Sequence, residues 1–433
     1  MTPGARVVAA IEVLTDIETR KRPASEALKD WGLNHRFAGS GDRAAIGNLV
    51  FDALRTHASS AFAMGEDSAR AIVLRTLVAG WGQTPRQVAA LADGSRFAPP
   101  PLTEFELQGL TRELPADAPA HIRGDYPEWL DPLMHQALGA HAAEEGTALA
   151  KRAPVDLRTN TLKATREKVL KALDRFKPTP TPHSPLGVRI AHAPGDHRSP
   201  HVEAEAAHGK GWFEVQDEGS QVATLLAGAK PKHQVIDLCA GAGGKTLALA
   251  AFMGNTGQLY AYDADRLRLR PIFERLKRGA ARNVQVLPGG DEAALAAFRD
   301  KMDLVLIDAP CTGSGVWRRR PDAKWRLKPE MLEMRLAEQR EVLDQGAPLV
   351  KPGGRLAYIT CSILPPENRE QVEAFLGRHP DFKIVPWPEL WREAIGTDPL
   401  PSADGSQDTL LMTPRSHGTD GFFLAVLERH GTA

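Results

Sequence analysis

The sequence has few cysteines, few aromatic residues and no net charge. Its 433 residues include three cysteines, aromatic residues make up 6%, and 54 Lys and Arg balance 54 Asp and Glu. A small, odd number of cysteines in a long chain excludes a disulfide-rich framework and indicates a reducing compartment. We therefore expect a cytoplasmic protein.

Long apolar runs are also missing. The stretch Val222–Ala229 is flanked by Gln221 and Lys230, and it is far shorter than the ~18 residues that a membrane helix needs. Near the start, Glu12 interrupts the apolar residues and no small-residue cleavage pattern follows, so we predict no signal peptide. The composition is typical of a globular protein without a membrane partner.

Positive charge is concentrated in two clusters although the chain is neutral overall. Residues 266–282 carry seven Lys and Arg against Glu274 alone, and residues 316–328 carry six against Asp322 alone. A single cluster of this kind is typical of a solvated helix face. Because these two lie on either side of the predicted active site, we interpret them as a phosphate-binding surface.

Residues 1–125 are predicted to form a helical domain. An apolar stripe recurs at helical spacing over residues 46–54, with Asp42 as the expected N-cap. Thr84 before a proline, and Thr103 three residues before Glu106, fit helix N-terminal patterns. Nothing in this region suggests catalysis, and we predict a small helical bundle.

Residues 126–215 are predicted to form a linker and a small α+β subdomain. Short strands are expected at Val155–Leu162, Gly187–Ile190 and Gly211–Val215, with a proline-rich loop at Pro178–Pro185.

Residues 216–433 alternate strands and helices. The predicted strands are Gln234–Leu238, Gln258–Asp263, Val284–Leu287, Asp303–Asp308 and Arg355–Thr360, and the predicted helices begin near Lys245 and cover Arg266–Arg282, Glu292–Asp300, Pro329–Ala347 and Glu367–Arg378. Such alternation predicts an α/β fold, a mostly parallel sheet with helices on both faces. Ligands of such sheets bind at the carboxyl ends of the strands.

A glycine-rich loop follows the first of these strands, over residues 239–246. It does not fit a Walker phosphate loop, because Cys239 stands where a glycine is required, and Thr246 likewise breaks the dinucleotide pattern. Asp263, twenty residues after Gly243, stands where a carboxylate accepts hydrogen bonds from both hydroxyls of a ribose. A nucleoside-bearing ligand fits this pattern; a glycine turn with Asp263 as a helix cap is the alternative.

Two cysteines follow the last two predicted parallel strands. Cys311 comes three residues after Asp308, and Cys361 directly follows Thr360, so both thiols emerge at the sheet edge that carries the glycine loop. A lone cysteine after a strand is more often buried and inert, and we hold that interpretation for Cys239. For Cys311 and Cys361, the same interpretation would require that two inert cysteines follow two different strands at this sheet edge by chance.

Several motifs resemble those of the RNA 5-methylcytosine methyltransferases, the Nol/Nop/Sun family. The main ones are Cys239–Lys245, Asp308–Cys311 and Thr360–Ser362, supported by Asp156–Lys163, Val215–Gln221, Gly315–Arg326 and Gly421–Glu428. Ala242 departs from the family pattern, where many members have proline. Asp42-Arg43 and Phe51–Arg55 are similar to the NusB-like domain of bacterial ribosomal small-subunit methyltransferases.

The resemblance implies a fold, a reaction and roles for particular residues. It implies a Rossmann-like class I methyltransferase sheet, a small RNA-binding subdomain and a NusB-like RNA-binding domain. Cys361 would be the nucleophile that adds to carbon 6 of cytosine, and Cys311 would assist its release. Asp308 would contact the N3 edge of the base, with Lys245 near the same pocket.

The resemblance also implies S-adenosylmethionine as the methyl donor. Asp263 and Arg268 would hold its ribose end and Asp291 its adenine side. Its amino-acid end would lie on the loop residues Cys239, Ala240, Gly241, Ala242, Gly243, Gly244 and Lys245, with Asp308 beside them.

The sequence leaves several functions open. Ribosomal small-subunit RNA is the expected partner, with transfer RNA as an alternative. A DNA cytosine methyltransferase would instead take its nucleophile from a Pro-Cys motif, which would promote Cys311 and leave Cys361 without a role. A non-catalytic RNA-binding ribosome-assembly factor is a third possibility. We expect a monomer without a metal ion.

Overall fold

The computed structural model describes residues 1–192, 195, 200–291 and 293–431. The chain folds as two compact units. Met1–Ala153 and Trp317–Leu327 belong to the first unit, and Pro154–Ala191, Pro200–Val316 and Lys328–Ala433 belong to the second. The predicted division into the domains 1–125, 126–215 and 216–433 remains a prediction. In the structure, residues 126–153 belong to the first, helical unit.

The first unit is helical from its start, as predicted. Its helices are α1 (Pro3–Arg20), α2 (Ala24–Asn34), α3 (Ser40–Arg55), α4 (His57–Met64), α5 (Ala69–Ala79), α6 (Pro85–Leu91), α7 (Glu104–Thr111), α8 (Ala120–Arg123), α9 (Asp131–Leu138) and α10 (Ala142–Leu149). Aliphatic side chains of α1, α3 and α5 form its core, among them the fully buried Leu14, Ile46 and Leu74.

Helix starts in this unit follow side-chain chemistry. Thr84 and Thr103 cap α6 and α7 in capping boxes, as predicted. The prediction of Asp42 as an N-cap was wrong: α3 begins at Ser40 with Gly39 as its cap, and Asp42 accepts a hydrogen bond from the Gly39 N–H at 3.3 Å. A carboxylate three residues into a helix reaches back to the cap in this way.

The segment Trp317–Leu327 is part of the helical unit, and the phosphate-binding role of residues 316–328 remains a prediction. It contains α18 (Pro321–Arg326), and the Lys324 ammonium is buried, donating to the carbonyls of Arg55 at 2.8 Å and of Asp125. Burial lowers the pKa of Lys324 to about 8. Arg318 is also buried, so two of the six positive charges lie inside the protein, whereas Arg320 and Lys328 are exposed.

The second unit opens with a small antiparallel sheet. Its strands β1 (Val155–Thr159), β2 (Thr179–Pro180), β3 (Gly187–Ile190) and β4 (Phe213–Val215) are ordered β2-β3-β1-β4, with helices α11 (Arg166–Ala172) and α12 (Ala206–Gly209). The strand at Gly187–Ile190 is as predicted. β1 ends earlier than predicted because the Asn160 side chain accepts from the Leu162 N–H and turns the chain.

The rest of the second unit is a large mixed sheet with helices around it, which confirms the predicted α/β fold class. Its elements are α13 (Glu218–Leu226), β5 (Gln234–Asp237), α14 (Gly244–Phe252), β6 (Gln258–Ala261), α15 (Arg266–Leu269), α16 (Ile272–Gly279), β7 (Val284–Val286), α17 (Ala293–Ala296), β8 (Met302–Asp308), α19 (Pro329–Gly346), β9 (Val350–Thr360), α20 (Arg369–Arg378), β10 (Phe382–Val385), α21 (Trp387–Ala394), β11 (Leu410–Met412), α22 (Pro414–His417) and β12 (Phe422–Arg429). The strand order is β10-β12-β9-β8-β5-β6-β7, with β11 beside β12. β5 to β9 are parallel, and β10 to β12 add antiparallel pairs at one side.

Several elements differ from their predicted bounds. The helix predicted over Arg266–Arg282 is two helices separated at Pro271, because proline lacks the N–H that would continue the first. The helix predicted over Glu292–Asp300 is the short α17, and Glu292 lies outside the described residues. The helix predicted from Glu367 begins at Arg369, since Glu367 lies in a preceding 3-10 turn.

In the part of the chain that the structure describes, every helix is too short or too polar to cross a bilayer.

Candidate active site

The site lies where the parallel strands β5, β6, β8 and β9 end. Asp308 is the last residue of β8. It is paired with Ile359, which is one residue before the end of β9 at Thr360. β5 lies between β8 and β6 and ends at Asp237, just before the glycine loop. Since parallel strands place their carboxyl ends at one edge, the predicted motifs are brought together there.

The two cysteine thiols predicted to be functional are in direct contact. The sulfur atoms of Cys311 and Cys361 are 3.3 Å apart, and both residues are half-buried free thiols. The hydrogen bond with Cys361 raises the pKa of Cys311, burial adds to this, and the nearby Glu367 charge raises it further. Contact between the thiols does not by itself say which one attacks a substrate.

Lys245 and Asp308 form an ion pair at the same edge. The Lys245 Nζ lies 2.7 Å from Asp308 Oδ2, and the side chains are 7% and 37% exposed. Lys245 also lies over the ring of Phe422, 5.4 Å from its centre. A buried ammonium beside a half-exposed carboxylate makes a proton donor and acceptor available next to the thiols.

The glycine loop has backbone angles that only glycine adopts without strain. Gly241 and Gly243 have φ of 50° and 84°. A Cβ on Gly243 would come within 2.5 Å of the Ile272 side chain. Arg275 supports the loop from outside by donating to the Ala242 carbonyl at 2.8 Å. The chain therefore turns tightly from β5 into α14.

Asp263 is held as a ligand-binding carboxylate would be, and it does not cap a helix. It is 3% exposed, and its two oxygens accept from the N–H groups of Gly241 and Asp265, both at 2.9 Å. The cap of α15 is Asp265, which accepts from the Leu267 N–H at 2.8 Å. Each Asp263 oxygen keeps a lone pair, enough for two ribose hydroxyls.

Arg268, Asp291 and Cys239 are three further residues that are predicted to bind the donor. Arg268 is half exposed, 3.6 Å from Asp263 Oδ2. Asp291 accepts from the Ala294 N–H at 3.2 Å, near the start of the short α17. Burial raises the pKa of the Cys239 thiol, in accord with the inert role expected for that side chain. The cofactor contacts of Arg268 and Asp291 remain predictions.

Sequence reasoning missed Asp237. This residue ends β5 and is buried; one oxygen accepts from the Thr246 hydroxyl at 2.7 Å, and the other has no hydrogen-bond partner among the described residues. Burial, together with the charges of Asp308 and Asp263, raises its pKa to about 7, although the hydrogen bond from Thr246 and the Lys245 charge act in the opposite direction. The available signal was a carboxylate ending an otherwise apolar strand directly before the glycine loop.

Arg158 was also missed. It is fully buried in β1, and its guanidinium donates to the Gly244 carbonyl at 2.9 Å and to the Gln216 side chain. Burial lowers its pKa to about 10. Both partners lie in motifs that the sequence analysis singled out, but only the fold shows that Arg158 joins them.

These residues fit S-adenosylmethionine. The donor combines a ribose with a cationic sulfonium and an ammonium group. Asp263 offers lone pairs for ribose hydroxyls, and the carboxylates Asp237, Asp263 and Asp308 make the strand ends favourable for a cation. Asp237 Oδ1, without a partner among the described residues, is an unused acceptor in this cluster.

Comparison with known proteins agrees with this geometry. Residues 223–428 match the model of the family described as 16S rRNA methyltransferase RsmB/F. Residues 126–195 match the ferredoxin-like domain of RsmF/B-like methyltransferases.

Individual proteins are similar over longer spans. A probable ribosomal RNA small subunit methyltransferase B from Synechocystis is 32% identical over 309 residues, which are 70% of this chain and 67% of that protein. The ribosomal RNA small subunit methyltransferase B of Vibrio cholerae is 33% identical over 73% of this chain and 68% of its own length. The crystal structure of PH0851 has a TM-score of 0.73 and 26% identity, covering 99% of each chain.

The sheet and the site define a class I methyltransferase, whose methyl donor is S-adenosylmethionine. Within that class, the chain belongs to the RsmB/F family of 16S rRNA methyltransferases, as the resemblance to the Nol/Nop/Sun proteins predicted.

Proposed function

We propose that this protein methylates carbon 5 of a cytosine in ribosomal small-subunit RNA, through a covalent bond between Cys361 and carbon 6. The observation that carries the proposal is the pair of thiols 3.3 Å apart at the sheet edge that also carries the ion pair of Lys245 and Asp308. Methylation at an oxygen or an exocyclic nitrogen needs no thiol, whereas carbon 5 must first be activated.

Cys361 supplies that activation. Carbon 5 of cytosine is a poor nucleophile, so the Cys361 thiolate adds to carbon 6, and the electrons of the carbon 5–carbon 6 double bond move into the ring as an enamine. S-adenosylmethionine, when bound, supplies an electrophilic methyl group that carbon 5 accepts. The assignment to Cys361 follows the Thr360–Ser362 motif, because the geometry alone treats the two sulfurs alike.

Lys245 and Asp308 donate a proton to N3 of the base and later accept it back. As the thiolate adds, negative charge develops on the ring, and the Lys245 ammonium supplies a proton that reaches N3 through the Asp308 carboxylate, 2.7 Å from Lys245 Nζ. When the ring double bond reforms, N3 returns this proton by the same route, which restores the ion pair of Lys245 and Asp308. The partial exposure of Asp308 is consistent with contact to a substrate base.

Cys311 assists release. After methyl transfer, carbon 5 still carries its original proton. Removing that proton reforms the carbon 5–carbon 6 double bond and breaks the bond from sulfur to carbon 6, which frees the Cys361 thiolate. Cys311 is in contact with that sulfur and acts as the base or relays the proton to water.

A positively charged surface supports RNA as the substrate. Lys168 and Lys210 lie over the Trp212 ring, 4.0 and 5.2 Å from its centre. Lys163 donates to a carbonyl at the end of α16 at 3.1 Å, and the exposed Lys277 lies on that helix. Within the described residues none of these lysines forms an ion pair. Ammonium groups that are not neutralised by carboxylates, two of them at an aromatic ring, suit the phosphates of RNA.

Cys311 and Cys361 also favour a reducing compartment. Thiols in contact form a disulfide readily under oxidising conditions, which would remove the nucleophile. The proposed reaction therefore fits the cytoplasm, where ribosomal RNA is modified.

Incubation of the protein with S-adenosylmethionine and protein-free small-subunit RNA tests the proposed function. We expect bisulfite sequencing to reveal cytosines that have become resistant to conversion, because a 5-methyl group slows the deamination. Parallel reactions with transfer RNA and with DNA distinguish the alternative substrates. Methyl incorporation without any bisulfite-resistant cytosine would contradict the proposed position.

Replacing Asp263 by alanine should weaken donor binding. Hydrogen bonds to a charged carboxylate contribute about 1.5–3 kcal/mol each, so we expect the dissociation constant for S-adenosylmethionine, measured by calorimetry, to rise more than about tenfold. Asp265→Ala is the matched control: it removes the nearby cap of α15 and should leave affinity almost unchanged. Equal affinities of the two variants would assign Asp263 a structural role only.

A further inference from the structure

Glu367 is a fully buried carboxyl group between the two loops that carry the cysteines. It lies in the turn Pro365–Glu367, six residues after Cys361, and its backbone is anchored by the Tyr358 hydroxyl, which donates to its carbonyl at 2.7 Å. The sequence analysis placed it only at the start of a helix and gave it no function.

Four hydrogen bonds converge on its two carboxyl oxygens. Oε1 accepts from the Thr312 N–H at 2.7 Å and from the Gln339 side chain at 3.1 Å. Oε2 accepts from the Thr312 hydroxyl at 2.6 Å and from the Ser362 hydroxyl. Each oxygen thus uses both of its lone pairs.

The partners of Glu367 are the neighbours of the two thiols in sequence. Thr312 follows Cys311, and Ser362 follows Cys361. A second contact joins the same loops, since the Gly315 N–H donates to the Cys361 carbonyl at 3.0 Å. Glu367 is the charged member of this connection, and its bonds reach both cysteine-bearing loops at once.

Glu367 is not part of an ion pair within the described residues. Burial raises its pKa, whereas the hydrogen bonds from Ser362, Thr312 and Gln339 lower it. A buried carboxyl held by neutral donors costs desolvation energy that an apolar residue would avoid. Stability alone therefore explains its presence poorly, and its partners indicate a role in the site.

We propose that Glu367 is a positioning residue for the reaction. By binding Thr312 and Ser362 together, its carboxyl group fixes the loops so that the sulfurs of Cys311 and Cys361 stay within reach of the same cytosine ring. This inference rests on the proposed function, because it assumes that both thiols act on one base.

Three variants test the inference: Glu367→Ala, Glu367→Gln and, as a matched surface control on α20, Glu373→Ala. Glu373 is exposed, and among the residues that the structure describes it pairs only with Arg369, at 3.4 Å. Each variant is assayed for kcat and KM with small-subunit RNA and for donor affinity. Misplacing a reacting group by about 1 Å lowers the rate by about 100-fold, so we expect that loss of kcat in Glu367→Ala, with KM for RNA and donor affinity unchanged.

Glu367→Gln should restore kcat to within about fivefold of the natural protein. The glutamine amide has the same shape; its oxygen accepts from the Thr312 N–H, and its nitrogen donates to the two hydroxyls once they rotate. A kcat of Glu367→Ala equal to that of the natural protein would overturn the inference. A glutamine variant as slow as the alanine variant would also overturn the inference, because the charge of the Glu367 carboxylate, and not the placement of the loops, would then control kcat.

Should Glu367→Ala lose donor binding through misfolding, Thr312→Val takes its place. It removes one hydroxyl donor and keeps the shape, and we expect kcat to fall by about tenfold at unchanged KM; a natural kcat would overturn the inference. Failure of the proposed function is recognised separately, because Cys361→Ser would then keep its activity whatever Glu367 does.

Discussion

Cys361→Ser is expected to abolish methyl transfer while S-adenosylmethionine still binds. A thiol supplies thiolate near neutral pH, whereas a serine hydroxyl ionises far less readily. Removing a nucleophile of this kind lowers kcat by about 10⁴-fold or more. Donor affinity should change little, because the donor-binding residues proposed here lie on other strands.

The experiment measures radiolabelled methyl incorporation into small-subunit RNA together with the dissociation constant of the donor. Cys239→Ser is the comparison, since it makes the same substitution at the half-buried thiol that begins the glycine loop, and its donor affinity is measured together with its turnover. Turnover near that of the natural protein in Cys361→Ser would overturn the role of Cys361 and the proposed covalent mechanism. Retained turnover in Cys239→Ser confirms that the loss is specific.

Cys311→Ser is expected to trap the enzyme on its RNA. If Cys361 attacks and Cys311 assists release, this variant still forms the bond from sulfur to carbon 6 and still transfers the methyl group. It then keeps the carbon 5 proton, so the sulfur is not expelled. The covalent complex survives denaturation, and we expect a slow-migrating protein–RNA band on a denaturing gel when RNA and donor are both present.

The four proteins of that gel distinguish the mechanisms. We expect no band from Cys361→Ser or from the double variant, and only a faint one from the natural protein, which releases its product. A DNA-type mechanism predicts the opposite, with a bond that depends on Cys311. A non-catalytic RNA-binding protein predicts no band at all. A band that needs Cys311 and not Cys361 would reverse the roles proposed here.

Local patterns predicted most of the large sheet. The strands that end at Asp237, Asp308 and Thr360 have apolar runs of strand length, and the intervening helices have clear apolar stripes. Bounds failed where one residue changed the local chemistry. Pro271 divides a helix that periodicity alone runs through, and the Asn160 side chain ends β1 early.

The positive clusters show where sequence reasoning reached its limit. Residues 316–328 have the composition of a solvated basic surface, yet Arg318 and Lys324 are buried in the helical unit. Of the cluster at 266–282, Arg275 and Arg278 are paired with Glu214 at 2.9 and 2.6 Å. Charge counts along a chain do not reveal which charges are neutralised by residues far away in sequence.

By itself, the sequence determined the class of fold and the edge of the sheet at which the glycine loop, Asp308 and the two cysteines meet, because strand order and motif spacing place those residues through local geometry. Only the tertiary structure decided that the two sulfurs touch, that Asp263 is not a helix cap, and that Glu367 joins the cysteine loops. Thr312 and Glu367 are 55 positions apart. Contacts over such separations depend on how strands and loops pack, and no local periodicity records them.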